Sequence, residues 1–240
     1  MKRMAGMQPY FFPYIGYWQL IDAVDCFVLF DEAQYIKQGW VNRNRILKPG
    51  GGWQYILVPV ARHPRDASIR DVRIAQDPRW RDRIFNQLSH YRRKAPYFAE
   101  TLDLVQFLLP DAPDTTIGAI NCRIVRQLCT ALSIRTEIIV SSEHRFDYGQ
   151  VEDKGDWALT HARTLGANVI VNPSAGIFMM DLPKLQAEHI DLWALEPPAI
   201  SYGQPMQPEE TSLSIIDVLM FNGIQGARHL LGERTERRVT

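Results

Sequence analysis

Twice along this chain a short apolar run leads through a stretch of helical period into a second apolar run. No other feature constrains the fold as much. The first unit comprises Arg3 to Met7, Ile15 to Val24 and Cys26 to Asp31; the second comprises Thr136 to Ser141, Lys154 to Leu165 and Asn168 to Val171. Antiparallel strands can be joined by a tight turn, whereas parallel strands need a long crossover, usually helical. Strands buried on both faces also read as continuous apolar runs. Pro13 suits the first turn of the first helix, where an N–H has no partner to lose. Gly166 stops the helix of the second unit. A last strand, Asp191 to Leu195, precedes a C-terminal helix running from Thr211 or Ser212 through Asn222, with Ser214 or Ser212 well placed as its N-cap. The expected fold is α/β, a Rossmann-like and mostly parallel sheet.

What separates the two units departs from this alternation. Trp53 to Val60 and Ile69 to Ile74 read as strands of an antiparallel flap, the first introduced by the flexible turn Lys48-Pro49-Gly50-Gly51-Gly52. From Asp77 to Leu109 the pattern is helical, with Trp80, Ile84, Leu88 and Tyr91 at helical spacing and a break at Pro96. Asp114 or Thr115 caps a third helix that runs to about Leu132. A helical insertion over about 77–132 is therefore expected within one domain spanning 1–240, two closely apposed lobes being the alternative. The charged tail 233–240, ERTERRVT, is expected to be disordered.

Composition narrows the function. With 46% hydrophobic and 22% charged residues the chain has the balance of a globular protein. Lys plus Arg equals Asp plus Glu at 27 each, so any anion site must be local, and neither a nucleic-acid partner nor insertion into a membrane is expected. No apolar run approaches the ~18 residues of a spanning helix, and prolines and tyrosines interrupt the N-terminal segment where a signal peptide needs an apolar stretch. Cys26, Cys122 and Cys129 each lie in an apolar run and read as buried free thiols of a cytoplasmic protein. The six histidines show neither HExxH nor close Cys/His spacing, which argues against a metal site. Serine-hydrolase, dinucleotide and P-loop signatures are absent as well.

The segment from Met7 to Leu47 concentrates aromatic, amide and basic side chains beyond the needs of a core. Its first part, PYFFPYIGY, lies between a strand and a helix start, where open parallel sheets bind ligands. Gln8, Tyr10, Tyr14, Gly16 and Tyr17 are the candidate ligand contacts there, although the same aromatics would also suit packing across the sheet end. The second part, DEAQYIKQGWVNRNR, follows the carboxyl end of the next strand and should lie on the same edge. Lys37, Arg43 and Arg45 suit phosphate or carboxylate, and Asn42 and Asn44 bring amides. Tyr35 and Trp40 can stack on a ring. Asp31 or Glu32 is the candidate base. Further along, Asn172 and Ser174 occupy a turn after the Asn168 strand, and Asp217 stands near the start of the last helix. For all three, structural roles in turns and capping compete with ligand binding.

The order of strand, proline-bearing loop and helix start resembles that of the HIGH-motif nucleotidyltransferases. Tyr14-Ile15-Gly16-Tyr17 stands where those proteins carry His-x-Gly-His. Both histidines are missing, so the resemblance implies nucleotide-like binding rather than ordinary adenylyl transfer. It makes ATP with Mg the cofactor to test, the cofactor being otherwise unknown. The blocks MQPYFFPYIGYWQLIDAVD, QYIKQGWVNRNRI and LSIIDVLMFNG together resemble the WbqC-like family from about Met7 to Asn222. The middle block KGDWALTHARTLGANVIVNPSAGIFM shares that family's helix, strand and Asn-Pro-Ser turn, but departs from it at Ser174-Ala175-Gly176 and Phe178-Met179-Met180. The resemblance implies a bacterial protein of surface-polysaccharide loci, including O-antigen clusters, and transfer of glycine or another aminoacyl group to a sugar. A transferase acting on a nucleotide-linked sugar is the expectation, with Asp31, Glu32 and Lys37 as its catalytic candidates. The alternatives are a noncatalytic nucleotide-sugar or glycan binding module and a degenerate nucleotidyltransferase.

Overall fold

The computed structural model describes residues 1–109, 111, 115–196, 200–205 and 209–239. The first unit forms β1 (Arg3–Met7), α1 (Ile15–Asp22) and β2 (Cys26–Leu29), the two strands parallel with Met4 beside Cys26 and Met7 beside Leu29. A hairpin follows, made of β3 (Arg43–Leu47) and β4 (Trp53–Leu57), and then three helices, α2 (Trp80–Leu88), α3 (Phe98–Leu108) and α4 (Ile117–Ala131). The second unit supplies β5 (Glu137–Val140), the one-turn α5 (Ser141–His144), α6 (Gly155–Leu165) and β6 (Val169–Pro173). The short α7 (Leu182–Ala187), β7 (Asp191–Glu196), α8 (Ile215–Leu230) and β8 (Thr235–Arg238) complete the order.

The fold is α/β. Its main sheet has the order β5-β2-β1-β6-β7-β8, parallel except for β8, and the hairpin stands apart as a second, two-stranded sheet. From β1 the chain moves outward through β2 to β5, then crosses back to the other flank of β1 as β6. The direction of travel thus reverses between β1 and β6. At such a point the loops beyond the carboxyl ends diverge and leave a crevice.

Side chains of a strand alternate between faces, and this splits the core in two. Ala5, Phe27 and Leu29 join the larger cluster with residues of α1, α4 and α8, while Met4, Cys26 and Val28 join the smaller one with Leu159 and Ala162 of α6 and Leu185 of α7. All four residues of β2 are buried, which explains its unbroken apolar sequence. The three cysteines are free and buried, with burial pushing the thiols of Cys122 and Cys129 up to about 12. Among the described residues no helix is long and apolar enough to cross a membrane.

Four features differ from the sequence expectation. Ile69 to Ile74 is not a continuous strand: Ile69–Asp71 is a single 3-10 turn, the expected antiparallel pairing survives as one bridge between Val60 and Ile74, and β4 pairs instead with Arg43–Leu47. The buried positions explain this, because Ile69 and Val72 are three apart, as one tight turn requires, and only Val72 and Ile74 keep the strand spacing of two. The strand that does pair was hidden because Asn44 occupies an inward position. The glycines joining β3 to β4 adopt φ of 87°, 114° and 70° at Gly50, Gly51 and Gly52, a left-handed path that favours glycine.

The tail expected to be disordered over 233–240 instead forms β8 at Thr235–Arg238, against β7, and Thr240 lies outside the described residues. Its charges are paired at the surface: Arg3 with Glu236, Arg237 with Glu196 at 3.0 Å and Arg238 with Asp191 at 2.7 Å. The C-terminal helix starts at Ile215, not Thr211 or Ser212, and Ser214 caps it by accepting from the Ile216 N–H at 3.2 Å. It continues past Asn222 through a kink at Gly223, whose φ is 61°. Of the caps expected for the third helix, Asp114 lies outside the described residues. The observed cap is Thr116, one residue beyond Thr115, and it accepts from the Ala119 N–H.

Candidate functional site

The loops after β1 and β2 lie together, held by polar side chains from distant segments. Phe11 N–H donates to the Trp40 carbonyl at 3.0 Å. The buried Asn121 of α4 donates to the carbonyls of Pro9 and Val41 at 2.8 and 2.7 Å, bridging both loops. Asn44 donates to the carbonyls of Phe11 and Phe12 at 2.9 and 2.8 Å, and Ser214 donates to Phe12 O at 2.8 Å. Buried carbonyls need such partners, and here they hold Phe12 at a φ of 42°. Asn42 plays a similar part, donating to Val58 O at 2.9 Å.

Past these ties, the stretch from Gln34 to Arg43 faces Leu57 and the run Val60 to Arg65 across a cleft of about 830 Å³. Lys37, Arg43, Arg62 and Arg65 line it, with Tyr35, Asn42 and His63, and no carboxylate does among the described residues. Arg43 is held by the Gly39 carbonyl at 3.3 Å and by the Tyr55 ring, whose centroid is 4.2 Å away. Lys37, Arg62 and Arg65 form no ion pair among the described residues. The Tyr35 ring meets His63 edge-on at 4.8 Å, and burial raises the Tyr35 hydroxyl above its ordinary pKa. His63 Nδ1 lies 2.8 Å from Pro64 O, and a carbonyl only accepts, so Nδ1 is the donor of this bond and Nε2 is not engaged by it. Unpaired cations around one concave surface attract an anion, and guanidinium groups match phosphate oxygens bidentately.

A separate polar cluster lies at the carboxyl ends of β2 and β5. Asp31 accepts from Ser141 Oγ at 2.9 Å, Ser142 N at 3.1 Å and Ser142 Oγ at 2.7 Å, so it pins the turn into α5 and both its oxygens are engaged. Glu32 accepts from Arg70 at 3.3 Å and from the Tyr148 hydroxyl at 3.1 Å. The same hydroxyl lies 3.1 Å from His161 Nε2. Burial, with His144 nearby, pushes His161 down to about 4, so it is neutral near pH 7.

The remaining candidates lie outside the cleft, some in the interior and some on the hairpin's outer side. Tyr17 is buried and donates to the Gln8 carbonyl at 3.0 Å. Gly16 is buried beneath the Tyr14 ring, where a Cβ would come within 2.5 Å of a ring carbon. Tyr10 and Tyr14 are half-buried, and burial raises both hydroxyls above the ordinary value. Trp40 and Arg45 stand on the outer side of the hairpin, the Arg45 guanidinium lying 5.3 Å from the Trp40 ring and 5.2 Å from Trp53. Asn172 is buried at the end of β6, its Nδ2 having no partner among the described residues, and Ser174 follows in the turn. Asp217 is fully buried and accepts from Tyr91, from Tyr202 at 2.6 Å and from Gln204 at 3.2 Å.

Of the sequence candidates, the structure therefore brings Tyr35, Lys37, Asn42 and Arg43 together in one cleft and leaves the others outside it. The opposite wall, Arg62, His63 and Arg65, was missed. One signal could have found it: from Ala33 to Arg65 there is no Asp or Glu, while Lys37, Arg43, Arg45, Lys48, Arg62 and Arg65 fall within the same stretch. Among the described residues no group of three or more His, Cys, Asp or Glu could hold a metal ion.

Comparison with known proteins adds a family. The profile described as the WbqC-like protein family matches residues 8–229. Rv1507c of Mycobacterium tuberculosis, described as an uncharacterized protein, is 28% identical over 231 residues, covering 96% of this chain and 98% of its own. No solved structure matches.

Proposed function

This chain belongs to the WbqC-like protein family, and from that premise we propose that it is a transferase. It holds the phosphate groups of a nucleotide-linked sugar in the basic cleft and moves an aminoacyl or similar acyl group onto the sugar, in the cytoplasm and in the service of surface-polysaccharide synthesis. One observation carries this reading. Among the described residues four cations line the cleft without a carboxylate, and none of the four has an ion pair, in a chain of zero net charge.

The roles follow from position. Arg62 and Arg65 grip phosphate oxygens from one wall, Lys37 and Arg43 from the other, each charged hydrogen bond contributing roughly 1.5–3 kcal/mol. Tyr35 and His63 form the floor against which the sugar rests. His63 Nε2 takes the proton from the acceptor hydroxyl or amine as its bond to the acyl carbon forms and the donor's leaving group departs. Rate enhancement comes mainly from orientation and charge stabilisation.

A second reading, a binding module without chemistry, draws on Asp31. This carboxylate, a candidate base from the sequence, already has both oxygens engaged by Ser141 and Ser142. The test is to incubate the protein with nucleotide sugars and amino acids, with and without ATP and Mg²⁺, and to weigh the products by mass spectrometry. Calorimetry on the same nucleotide sugars runs in parallel. An acylated sugar product supports the transferase; binding without product supports the module; absence of binding to every nucleotide sugar rejects both.

A further inference from the structure

The hairpin has two unlike faces. Asn44, Ile46 and Ile56 point inward and are buried. The opposite face carries Arg43 and Arg45 from β3 with Trp53, Tyr55 and Leu57 from β4, Arg45 standing opposite Tyr55 and Arg43 opposite Leu57. Large apolar side chains are unusually bare on this side: Ile36 is 55% exposed, Leu57 44%, and Trp40 and Trp53 38% each. Contiguous exposed apolar surface on a folded chain marks a contact site. The same surface belongs to the stretch Ala33 to Arg65, with its six cations and no carboxylate. Glu210 comes near the hairpin turn at Gly52. Ile36 and Leu57 also line the basic cleft, so the apolar face and the cleft mouth adjoin.

We propose that the outer face of the β3–β4 hairpin, with the loop Ile36 to Trp40, docks on the surface of an anionic lipid bilayer and sets the cleft mouth at headgroup level. The docking stands on the face alone. Its consequence, that the phosphate entering the cleft is presented by a membrane-anchored molecule, rests on the reading given under Proposed function. Charge complementarity selects the partner. A second copy of this chain would set like charges against one another, and a neutral protein surface would leave them unmatched. A nucleic acid would match the charge and could stack on the tryptophans, but it has no use for bare Ile36 and Leu57. A bilayer uses all three features: tryptophan favours the interface, aliphatic groups enter the acyl boundary, and Lys and Arg meet anionic headgroups.

The experiment is cosedimentation of the full chain with vesicles of phosphatidylcholine alone and of equal parts phosphatidylcholine and phosphatidylglycerol, at low and high salt, with tryptophan emission recorded. Binding to the anionic vesicles, weakened by salt and accompanied by a blue shift, is the expected result. Lys48→Gln should lower the partition coefficient roughly fivefold. Trp53→Ala should also lower it, and neither change should alter pyrophosphate binding measured by calorimetry without vesicles, since neither side chain lines the cleft. Equal sedimentation with both lipids, or none with the anionic vesicles, overturns the proposal. So does binding to poly(U) without binding to vesicles, or a self-association that Trp53→Ala abolishes while vesicles are ignored. A protein that binds pyrophosphate but no vesicle refutes the docking alone; one that binds vesicles but neither pyrophosphate nor any nucleotide sugar refutes the cleft reading alone.

Discussion

Replacing Asp217 with asparagine should change how stability depends on pH, and the size of the change can be worked from the surroundings of the carboxyl. Asp217 sits on α8 with no exposed surface, facing Tyr91, Tyr202 and Gln204. Those donors favour the carboxylate, but the loss of water outweighs them and pushes the group from its ordinary 3.8 up to about 6. The folded state therefore holds this proton more tightly than the unfolded one. The stabilisation it confers is complete below the unfolded value and is lost as pH rises through the folded one. At about 1.4 kcal/mol per unit, a shift from 3.8 to about 6 amounts to about 3 kcal/mol. Urea unfolding of wild type and Asp217→Asn at several pH values between 4 and 7 measures it. Paired surface carboxylates such as Asp77 and Asp156, whose pKa values are lowered by Arg83 and Lys184, pull in the opposite direction but cancel in the difference between the two proteins. The asparagine imposes a constant offset by altering the bonds to the tyrosines. On top of that, the variant should gain about 2.5 kcal/mol relative to wild type between pH 4 and pH 7, most of the full shift, because pH 4 lies just above the unfolded value. A difference that stays flat with pH would refute the reasoning.

Three further outcomes are expected. Arg62→Ala combined with Arg65→Ala should weaken pyrophosphate or nucleotide-sugar binding by more than about tenfold in calorimetry while circular dichroism stays as in wild type, since each charged hydrogen bond contributes roughly 1.5–3 kcal/mol; unchanged affinity would remove the cleft from the argument. Asn44→Ala leaves the buried carbonyls of Phe11 and Phe12 without their amide donor, and urea unfolding should show a loss of roughly 1–3 kcal/mol. Gly223→Ala places a Cβ about 2.7 Å from the Tyr97 ring at a backbone φ of 61°, and the melting temperature should fall by several degrees, whereas an unshifted melt would mean the kink relaxes freely.

The parallel sheet was legible because its strands are apolar on both faces, and a run such as Cys26 to Leu29 admits few other readings. The hairpin was not, because what faces the core at Asn44 is an amide bound to carbonyls of a different loop, and no local pattern encodes that partner. β8 escaped for a related reason: ERTERRVT looks solvated until Glu196, Asp191 and Arg3 are brought alongside. Half of the cleft could be read from Tyr35 to Arg43, where basic, aromatic and amide residues interleave. The tyrosines at 10, 14 and 17 attracted the same attention for composition alone, and only burial tells a ligand contact from a ring that fills the sheet end. Arg62 and Arg65 stood apart from the main motif, and a charge seems solvated until the surface it faces is known.

The carbonyls of Pro9, Phe11, Phe12 and Pro13 are met by Asn121 of α4, Asn44 and Trp18 as well as by Ser214 and Ile215 at the head of α8. The loop thus has little shape of its own and takes its form as a cast, in part from Asn121 and Ser214, which lie more than a hundred residues away. A peptide cut out around Tyr10 would carry the motif without its conformation. Conversely, a change at Asn121 or Ser214, remote in sequence and touching no ligand, would reset the geometry at which the first loop meets the second. Variation among relatives at those two positions would tune the site as directly as variation in the loop itself.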